Sequence, residues 1–205
     1  MKIGSPAPHE QSVLLLASRF GLVHTRDVVA LGIPTVVLTR LVRVGQLLRV
    51  GRGVYTLPDS TMSAQRSIAE VALRAPRGVI CLLSALRVHE IGTQAPFEIW
   101  LALPPGVAVP RIKSPAIRVV RMSGDALTQG IEKKNFDGVE VRVFSAAKTV
   151  ADCFKFRNKI GLDVALEALQ ETWRARKATI NQLRQYAVTD RVSKVMQPYM
   201  EALLG

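Results

Sequence analysis

The sequence has little cysteine and no long apolar run. Its two cysteines, Cys81 and Cys153, are too few to form a disulfide framework. Both lie among apolar residues, so we expect two buried free thiols in a reducing compartment. No apolar stretch approaches the length of a membrane span, and the N-terminus carries no secretion signal. These absences predict a cytoplasmic protein with no membrane partner.

The sequence also lacks the usual marks of metal proteins and enzymes. His9, His24 and His89 are scattered, with no cysteine or carboxylate at ligand spacing, and no glycine-rich phosphate loop is present. Ser145 and Lys148 have the S-x-x-K spacing of acylating serine enzymes, but the accompanying S-D-N and K-T-G elements are missing. We therefore expect no metal, no cofactor and no small-molecule substrate, and we interpret Ser145 as a helix cap.

Acidic residues are scarce relative to basic ones. The 205 residues include 28 Lys and Arg against 16 Asp and Glu, which gives a net charge of +12 and a pI of about 10.4. An excess of this size favours a polyanionic partner, usually nucleic acid, although solubility alone is the alternative explanation. Residues 1–58 hold seven basic and two acidic residues, a net charge of +5.

Near the N-terminus, the sequence has two short helical patterns separated by a tight turn. Thr25 is the predicted N-cap of a first helix over residues 26–31, which Gly32 ends by supplying a left-handed residue. Thr35 is the predicted N-cap of a second helix over residues 36–44, which Gly45 ends. The spacing thus predicts a helix-turn-helix.

Two strand-like runs follow these helical patterns. Residues 47–50 and 54–57 are joined by Gly51-Arg52-Gly53, which predicts a hairpin with an arginine at its tip. Two helices followed by a two-stranded wing form a winged helix-turn-helix. In this fold the second helix lies in the major groove of DNA, and its first residues reach the base edges.

The second helix of this pattern has one apolar and one polar face. Leu38, Leu41 and Val42 recur at helical spacing and predict the buried face. Arg40 and Arg43 lie on the other face, where an arginine can bind guanine through two hydrogen bonds worth about 1–3 kcal/mol. A solvated helix face, a capping role for Thr35 and core packing of Val36 are the alternatives. We predict DNA contacts from Arg26, Thr35, Val36, Thr39, Arg40, Arg43, Arg49 and Arg52.

The remainder of the chain predicts a second domain of α+β class. A break after Pro58 places the boundary there, with domains at residues 1–58 and 59–205. The expected architecture is a small antiparallel sheet followed by a helical C-terminal half. Helices are predicted at residues 64–74, 79–90, 146–156 and 162–176, with further helices from Thr179 and Asp190, and strands at 97–103, 117–122 and 139–144.

The chain resembles the AbiEi family of bacterial antitoxins. Three stretches carry the resemblance: GLVHTRDVVALGIPTVVLTRLVRVGQLLRVGRGVYTLPD at residues 21–59, KTVADCFKFRNKIGLDVALEALQE at 148–171, and, more weakly, CLLSALRVHEIG at 81–92. The resemblance implies a protein that binds double-stranded promoter DNA and represses its own toxin–antitoxin operon. It also implies a C-terminal domain that counteracts a nucleotidyltransferase-like toxin.

Four basic residues of the second matched stretch form a predicted partner surface. Lys148, Lys155 and Lys159 fall on about one side of a helical pattern, and Arg157 lies between them. This cluster could hold DNA, contact a toxin or RNA, or face water.

Three alternatives to a self-regulating antitoxin remain open from the sequence. The chain could be a solitary transcriptional regulator without a toxin partner, or an interaction protein that clasps a toxin. A nuclease is the least favoured, because the acidic-x-lysine patterns near residues 132–134 and 140–142 are incomplete.

Overall fold

The computed structural model describes residues 8–58, 64–112 and 114–204. The chain divides by its contacts into two compact units. The first unit runs to Arg74 and also includes the hairpin tip Phe136–Val139, and the second takes in Ala75–Asn135 and the chain from Glu140 onward. The domain boundary after Pro58 stays a prediction, because residues 59–63 lie outside the described part.

The first unit is a winged helix-turn-helix. A three-stranded antiparallel sheet, in the order β1-β3-β2, lies beside its helices. Apolar side chains that include Val13, Val28, Leu38, Leu41 and Leu47 form its core. Its elements are α1 (Pro8–Phe20), β1 (Val23–His24), α2 (Thr25–Ala30), α3 (Val36–Arg43), β2 (Leu48–Gly51), β3 (Val54–Thr56) and α4 (Ala64–Arg74).

The start of α2 differs from the sequence prediction. Thr25 is the first helical residue and His24 occupies the N-cap position, where its backbone N–H donates to Asp27 Oδ2 at 3.2 Å. The backbone N–H of Thr25 donates instead to the carbonyl of Gly53 at 2.8 Å. A threonine at a helix start is normally interpreted as a cap, and this long-range bond has no sequence signal.

The helix ends of the motif agree with the prediction. Gly32 and Gly45 follow α2 and α3 with φ of 71° and 74°, the left-handed region that glycine enters without steric cost. The N–H of Gly45 donates to the carbonyl of Val42 at 3.1 Å. Both turns therefore have the chemistry that the sequence indicates.

The second unit combines a sheet with a layer of helices and confirms the α+β class. Its five-stranded sheet has the order β6-β5-β4-β8-β7. The elements are β4 (Val79–Ile80), α5 (Leu82–Val88), β5 (Ile99–Leu103), β6 (Ile117–Arg121), α6 (Asp125–Thr128), β7 (Ile131–Phe136), β8 (Val139–Phe144), α7 (Ala146–Lys155), α8 (Arg157–Ile160), α9 (Leu162–Arg174), α10 (Ile180–Thr189) and α11 (Ser193–Leu204).

The sheet of the second unit is mixed, which corrects the expectation of an antiparallel sheet. β4 pairs antiparallel with β5, but β5 pairs parallel with β6 and β4 pairs parallel with β8. Parallel neighbours need a long connection, and residues 104–116 supply one between β5 and β6. A connection of this length lets β6 run parallel to β5, whereas a tight hairpin would have made the two strands antiparallel.

Two strands of this sheet were not predicted. Val79 and Ile80 open the stretch interpreted as one helix over 79–90, yet they form β4, and the helix α5 begins at Leu82. An apolar run of this kind does not distinguish a buried strand from a buried helix. The strand β7 is not among the predicted strands, although the Asp137-Gly138 pair that follows it is a strong hairpin signal.

The helix α7 lies at the centre of the second core. Its residues are buried along nearly its whole length, and it packs against α5, α9 and α10. Ser145 caps it as predicted, since its hydroxyl accepts a hydrogen bond from the N–H of Lys148. Thr179 caps α10 in the same way. Asp190 was expected to open the terminal helix, but it ends α10, and α11 begins at Ser193.

Candidate nucleic-acid interface

The exposed face of α3 carries the predicted DNA contacts. Val37, Leu38 and Leu41 are buried against the first core. At about 100° per residue, Arg43 points almost directly away from this buried face, with Val36 and Thr39 within about 40° of it. The exposed residues of this helix and its N-cap are Thr35, Val36, Thr39, Arg40 and Arg43.

Thr35 makes no side-chain capping bond and Val36 does not pack in the core, which were the alternative roles for these two residues. Thr35 occupies the N-cap, but its side chain makes no capping hydrogen bond, so the hydroxyl remains available to a ligand. Val36 is 59% exposed and is no part of the core. An exposed valine at the start of such a helix is placed to contact a thymine methyl group.

Arg40 has an intramolecular partner that the sequence pattern did not reveal. Its Nη1 lies 3.1 Å from Oε1 of Glu10 on α1. Arg40 lies about 60° around the helix from Arg43, on the side that faces α1. The two arginines are therefore not equivalent, and Arg43 is the better placed of the two to reach base edges.

The wing presents the second group of predicted contacts. β2 and β3 pair antiparallel with an irregularity between Arg49 and Gly51, and Arg52 lies exposed at the tip. The Arg49 side chain is also exposed and donates through Nε to the carbonyl of Gly51 at 3.2 Å. Arg52 is thus exposed at the tip, whereas Arg49 is held by a hydrogen bond within the hairpin.

Arg26 lies at the start of α2, next to an acidic neighbour. Its side chain is 70% exposed, and its Nε is 3.6 Å from Asp27 Oδ1. His24 Nε2 in the same region forms a 2.8 Å hydrogen bond with the carbonyl oxygen of Asp137, which belongs to the same unit. This exposed position is suited to a phosphate contact.

Lys148 does not lie on a surface, contrary to its assignment to the predicted partner surface. Its side chain is 0% exposed, and its Nζ lies 2.6 Å from Asp152 Oδ1 and 3.0 Å from Asp190 Oδ2. Burial of a lysine requires ionic partners of this kind, because an unpaired buried charge is very costly. Sequence spacing alone placed Lys148 beside exposed lysines, and the partner Asp190 is distant along the chain.

The buried carboxyl group of Asp152 in this cluster has a perturbed pKa. Burial raises the pKa of Asp152 to about 8, against the opposing effect of the Lys148 charge, and repulsion from Asp190 adds to the rise. Oδ2 of Asp152 accepts no hydrogen bond from the described residues. Through the ion pair of Lys148 with Asp190, the cluster links α7 to the end of α10 within the core.

The other members of the predicted partner surface are more accessible. Lys155 is 33% exposed and lies 3.3 Å from Asp190 Oδ1. Arg157 donates to the carbonyl of Phe154 at 2.8 Å. Lys159 is exposed and lies over the Phe156 ring at 5.6 Å from its centroid. Of the four residues, Lys159 is the most exposed.

The features that imitate an enzyme or a metal site have structural explanations. Ser145 Oγ accepts a hydrogen bond from a helix N-terminus, and Lys148 is committed to the buried cluster. No group of three potential metal ligands occurs among the described residues. Cys81 and Cys153 are free and buried, as expected, and burial raises the pKa of each thiol. Within the described ranges, no helix is long and apolar enough to cross a membrane.

The first unit has the winged helix-turn-helix fold, and the arginines of α3 lie on its exposed face. Residues 10–58 match the family described as "Transcriptional regulator, AbiEi antitoxin". This match confirms the resemblance drawn from the sequence over the helix-turn-helix and wing. No curated protein matches the chain.

A solved structure shares the fold of nearly the whole chain. The protein is similar to RV2827C protein from Mycobacterium tuberculosis, known from a crystal structure, with a TM-score of 0.56 and 14% sequence identity. The similarity covers 90% of this chain and 72% of that chain. At this level of identity it shows the fold alone.

Proposed function

We propose that the protein is a non-catalytic, sequence-specific DNA-binding antitoxin that represses its own toxin–antitoxin operon. The observation that carries the proposal is the outward face of α3, on which two arginines, two threonines and a valine are exposed on a helix with a fully apolar inner face. The net charge of +12 supports a polyanionic partner.

In this proposal α3 enters the major groove of promoter DNA. Arg43, Thr39 and Val36 face the base edges, where arginine reads guanine and valine reads the thymine methyl group. Arg40 and Arg52 contact phosphates on either side of the groove. Phosphate contacts of this kind fix the position of the protein on the duplex without reading sequence.

The proposal extends to the toxin through the family match over residues 10–58. The second unit would counteract a nucleotidyltransferase-like toxin, with Lys155, Arg157 and Lys159 as the accessible members of the predicted partner surface. Lys148 no longer belongs to that surface, since it is buried. Binding of promoter DNA by the first unit would repress transcription of both genes.

A titration with two duplexes tests the DNA-binding part. Wild-type protein is titrated against the duplex upstream of its own gene and against a scrambled duplex of equal length. We expect Arg43→Ala to lose about 1–3 kcal/mol of discrimination between them. Arg174→Ala, which removes an exposed arginine from α9 of the second unit, is the matched control and should retain the preference. Equal binding of both duplexes by the wild-type protein would refute sequence-specific recognition.

Co-expression tests the antitoxin part. If a nucleotidyltransferase-type gene lies beside this one, its product should arrest growth, and the full chain should relieve the arrest. We expect Arg43→Ala to relieve it as well when both genes are expressed from foreign promoters, because neutralisation is assigned to the second unit. Absence of such a neighbouring gene would favour a solitary regulator, and co-purification of the two products would favour an interaction protein.

A further inference from the structure

A small cavity opens on the second unit, and none of its lining residues is among those assigned to DNA. Its volume is about 300 Å³, at the lower end of the range for small-molecule sites. It is lined by residues that include Leu83, Gln94, Phe97, Trp100, Arg118 and Lys159. The space accommodates one ring-sized group with a short extension, and it is too small for a helix or a strand.

The walls of this cavity are aromatic. Phe97 is 85% exposed, although phenylalanine is among the residue types most often buried. Trp100, which also lines the cavity, is almost fully buried, and the Arg118 guanidinium lies over the Trp100 ring at 4.9 Å from its centroid. Unpaired bases stack on exposed aromatic rings and on arginine planes, and the cavity lining offers one of each, Phe97 and Arg118.

The cavity is lined by side chains of both positive and negative charge. Arg118 Nε lies 2.6 Å from Glu98 Oε2, and Lys159 adds a second cation that is exposed. The Gln94 side chain supplies an amide, which can both donate and accept. A base presents amino and carbonyl groups along its edges, and its phosphate needs a cation, so a nucleotide has a partner for each of these groups.

We propose that this cavity binds an unpaired nucleotide, either free or within a single strand. The base stacks on Phe97, its amino edge faces Glu98 and Gln94, and the phosphate lies at Lys159. An acidic peptide is a poorer match for two reasons. The Glu98 carboxylate repels the acidic side chains of the peptide, and such a peptide has no planar group to stack on the aromatic wall. The proposal does not depend on the proposed DNA-binding function, since it uses no residue of the first unit.

Tryptophan fluorescence provides the test. The chain has two tryptophans, so Trp173→Phe leaves Trp100 as the only reporter. This variant is titrated with adenosine monophosphate, a six-nucleotide oligoadenylate, inorganic phosphate and an oligoglutamate peptide of matched charge. Saturable quenching by the monophosphate shows a site for a free nucleotide, and quenching by the oligonucleotide alone shows a site for a single strand.

Two further substitutions in the Trp173→Phe background assign the site. Phe97→Leu keeps the charge and the apolar character but removes the ring, so we expect binding about tenfold weaker or worse. Lys159→Gln should weaken binding of the phosphorylated ligands and reduce its salt dependence. Phe20→Leu, at an exposed phenylalanine of the first unit, is the matched control and should bind normally.

Some results would overturn the proposal. They are an absence of quenching by both nucleotide ligands, equal affinities of Phe97→Leu and Phe20→Leu, or quenching by oligoglutamate or phosphate that matches quenching by the nucleotides. All variants should keep the wild-type preference between the two duplexes, so failure of this site is distinguishable from failure of the DNA-binding function.

Discussion

The Glu10 carboxylate lies 3.1 Å from Nη1 of Arg40, and this pair joins α1 to the helix that carries the predicted base contacts. The Glu10 side chain is 15% exposed and that of Arg40 is 49% exposed, so the pair lies at the edge of the first core. A carboxylate at this position also places a negative charge beside the face proposed to meet DNA.

Replacing Glu10 by glutamine should therefore tighten DNA binding. Glu10→Gln removes a charge that repels phosphate and frees Arg40, so affinity for both duplexes should rise and the salt dependence should steepen. The cost in the free energy of unfolding should stay below about 1 kcal/mol, as is usual for partly exposed pairs. Titrations at two salt concentrations and urea unfolding measure the two effects. Weaker binding by Glu10→Gln would contradict the assignment of Arg40 to a phosphate.

Removal of the arginine at the wing tip should weaken binding to every DNA sequence by the same factor. Arg52→Ala eliminates one phosphate contact, so the slope of log K against log salt should become shallower by about 0.9. The ratio of affinities for the two duplexes should not change. Gel-shift titrations across a salt series measure both quantities, with Arg174→Ala as the control. A loss of preference in Arg52→Ala would instead place the wing tip on bases.

Substitution of the buried lysine should destabilise the second unit strongly. Lys148→Met leaves Asp152 and Asp190 buried without their shared cation, which should cost about 3–5 kcal/mol in the free energy of unfolding. Lys155→Met removes a partly exposed partner of Asp190 and should cost no more than about 1 kcal/mol. Urea unfolding of both variants compares them. Equal losses would show that Lys148 is not the central charge of the cluster.

The stability of the second unit should fall in mild acid because of His89. Burial lowers the pKa of His89, and its Nε2 forms a 2.7 Å hydrogen bond with the carbonyl oxygen of Phe144. The unfolded chain takes up a proton near the ordinary histidine pKa, whereas the folded chain resists it. Stability is therefore fully present above that value and declines as pH falls below it.

A substitution isolates this contribution from those of other groups. His89→Gln retains a donor for the Phe144 carbonyl but does not titrate, so the dependence of its unfolding free energy on pH between 7 and 5 should be shallower than in the wild-type protein. His24→Gln, in the first unit, is the control and should keep the wild-type dependence for unfolding of the second unit. An unchanged slope in His89→Gln would contradict the buried neutral histidine.

Local patterns predicted much of the first unit. The spacing of Leu38 and Leu41, the glycines at 32 and 45, and the glycine-bracketed wing each encode their structure within a few residues. The predicted strands at 97–103, 117–122 and 139–144 and the capped helices at Ser145 and Thr179 rest on equally local signals. These features could be predicted because the tertiary contacts of the folded chain agree with the local conformational preference.

The features that sequence reasoning missed depend on contacts between distant residues. Lys148 is paired in the core with Asp152 on the same helix and with the distant Asp190, and Arg40 has a partner because α1 packs on α3. The parallel pairing of β5 with β6 similarly depends on the path of a long loop. None of these relationships leaves a periodic trace in the chain, so residue type and spacing were not sufficient to predict them.

The hydrogen bond from the Thr25 amide to the Gly53 carbonyl has a consequence for the operator. It ties the wing, next to its tip, to the beginning of α2, so a direct backbone contact joins the wing to the helix-turn-helix of the first unit. In the proposed DNA complex, this contact fixes the distance between the elements that meet the groove and the backbone. A duplex in which these two elements are shifted apart by one base pair should bind more weakly, even if every base proposed to face α3 is preserved.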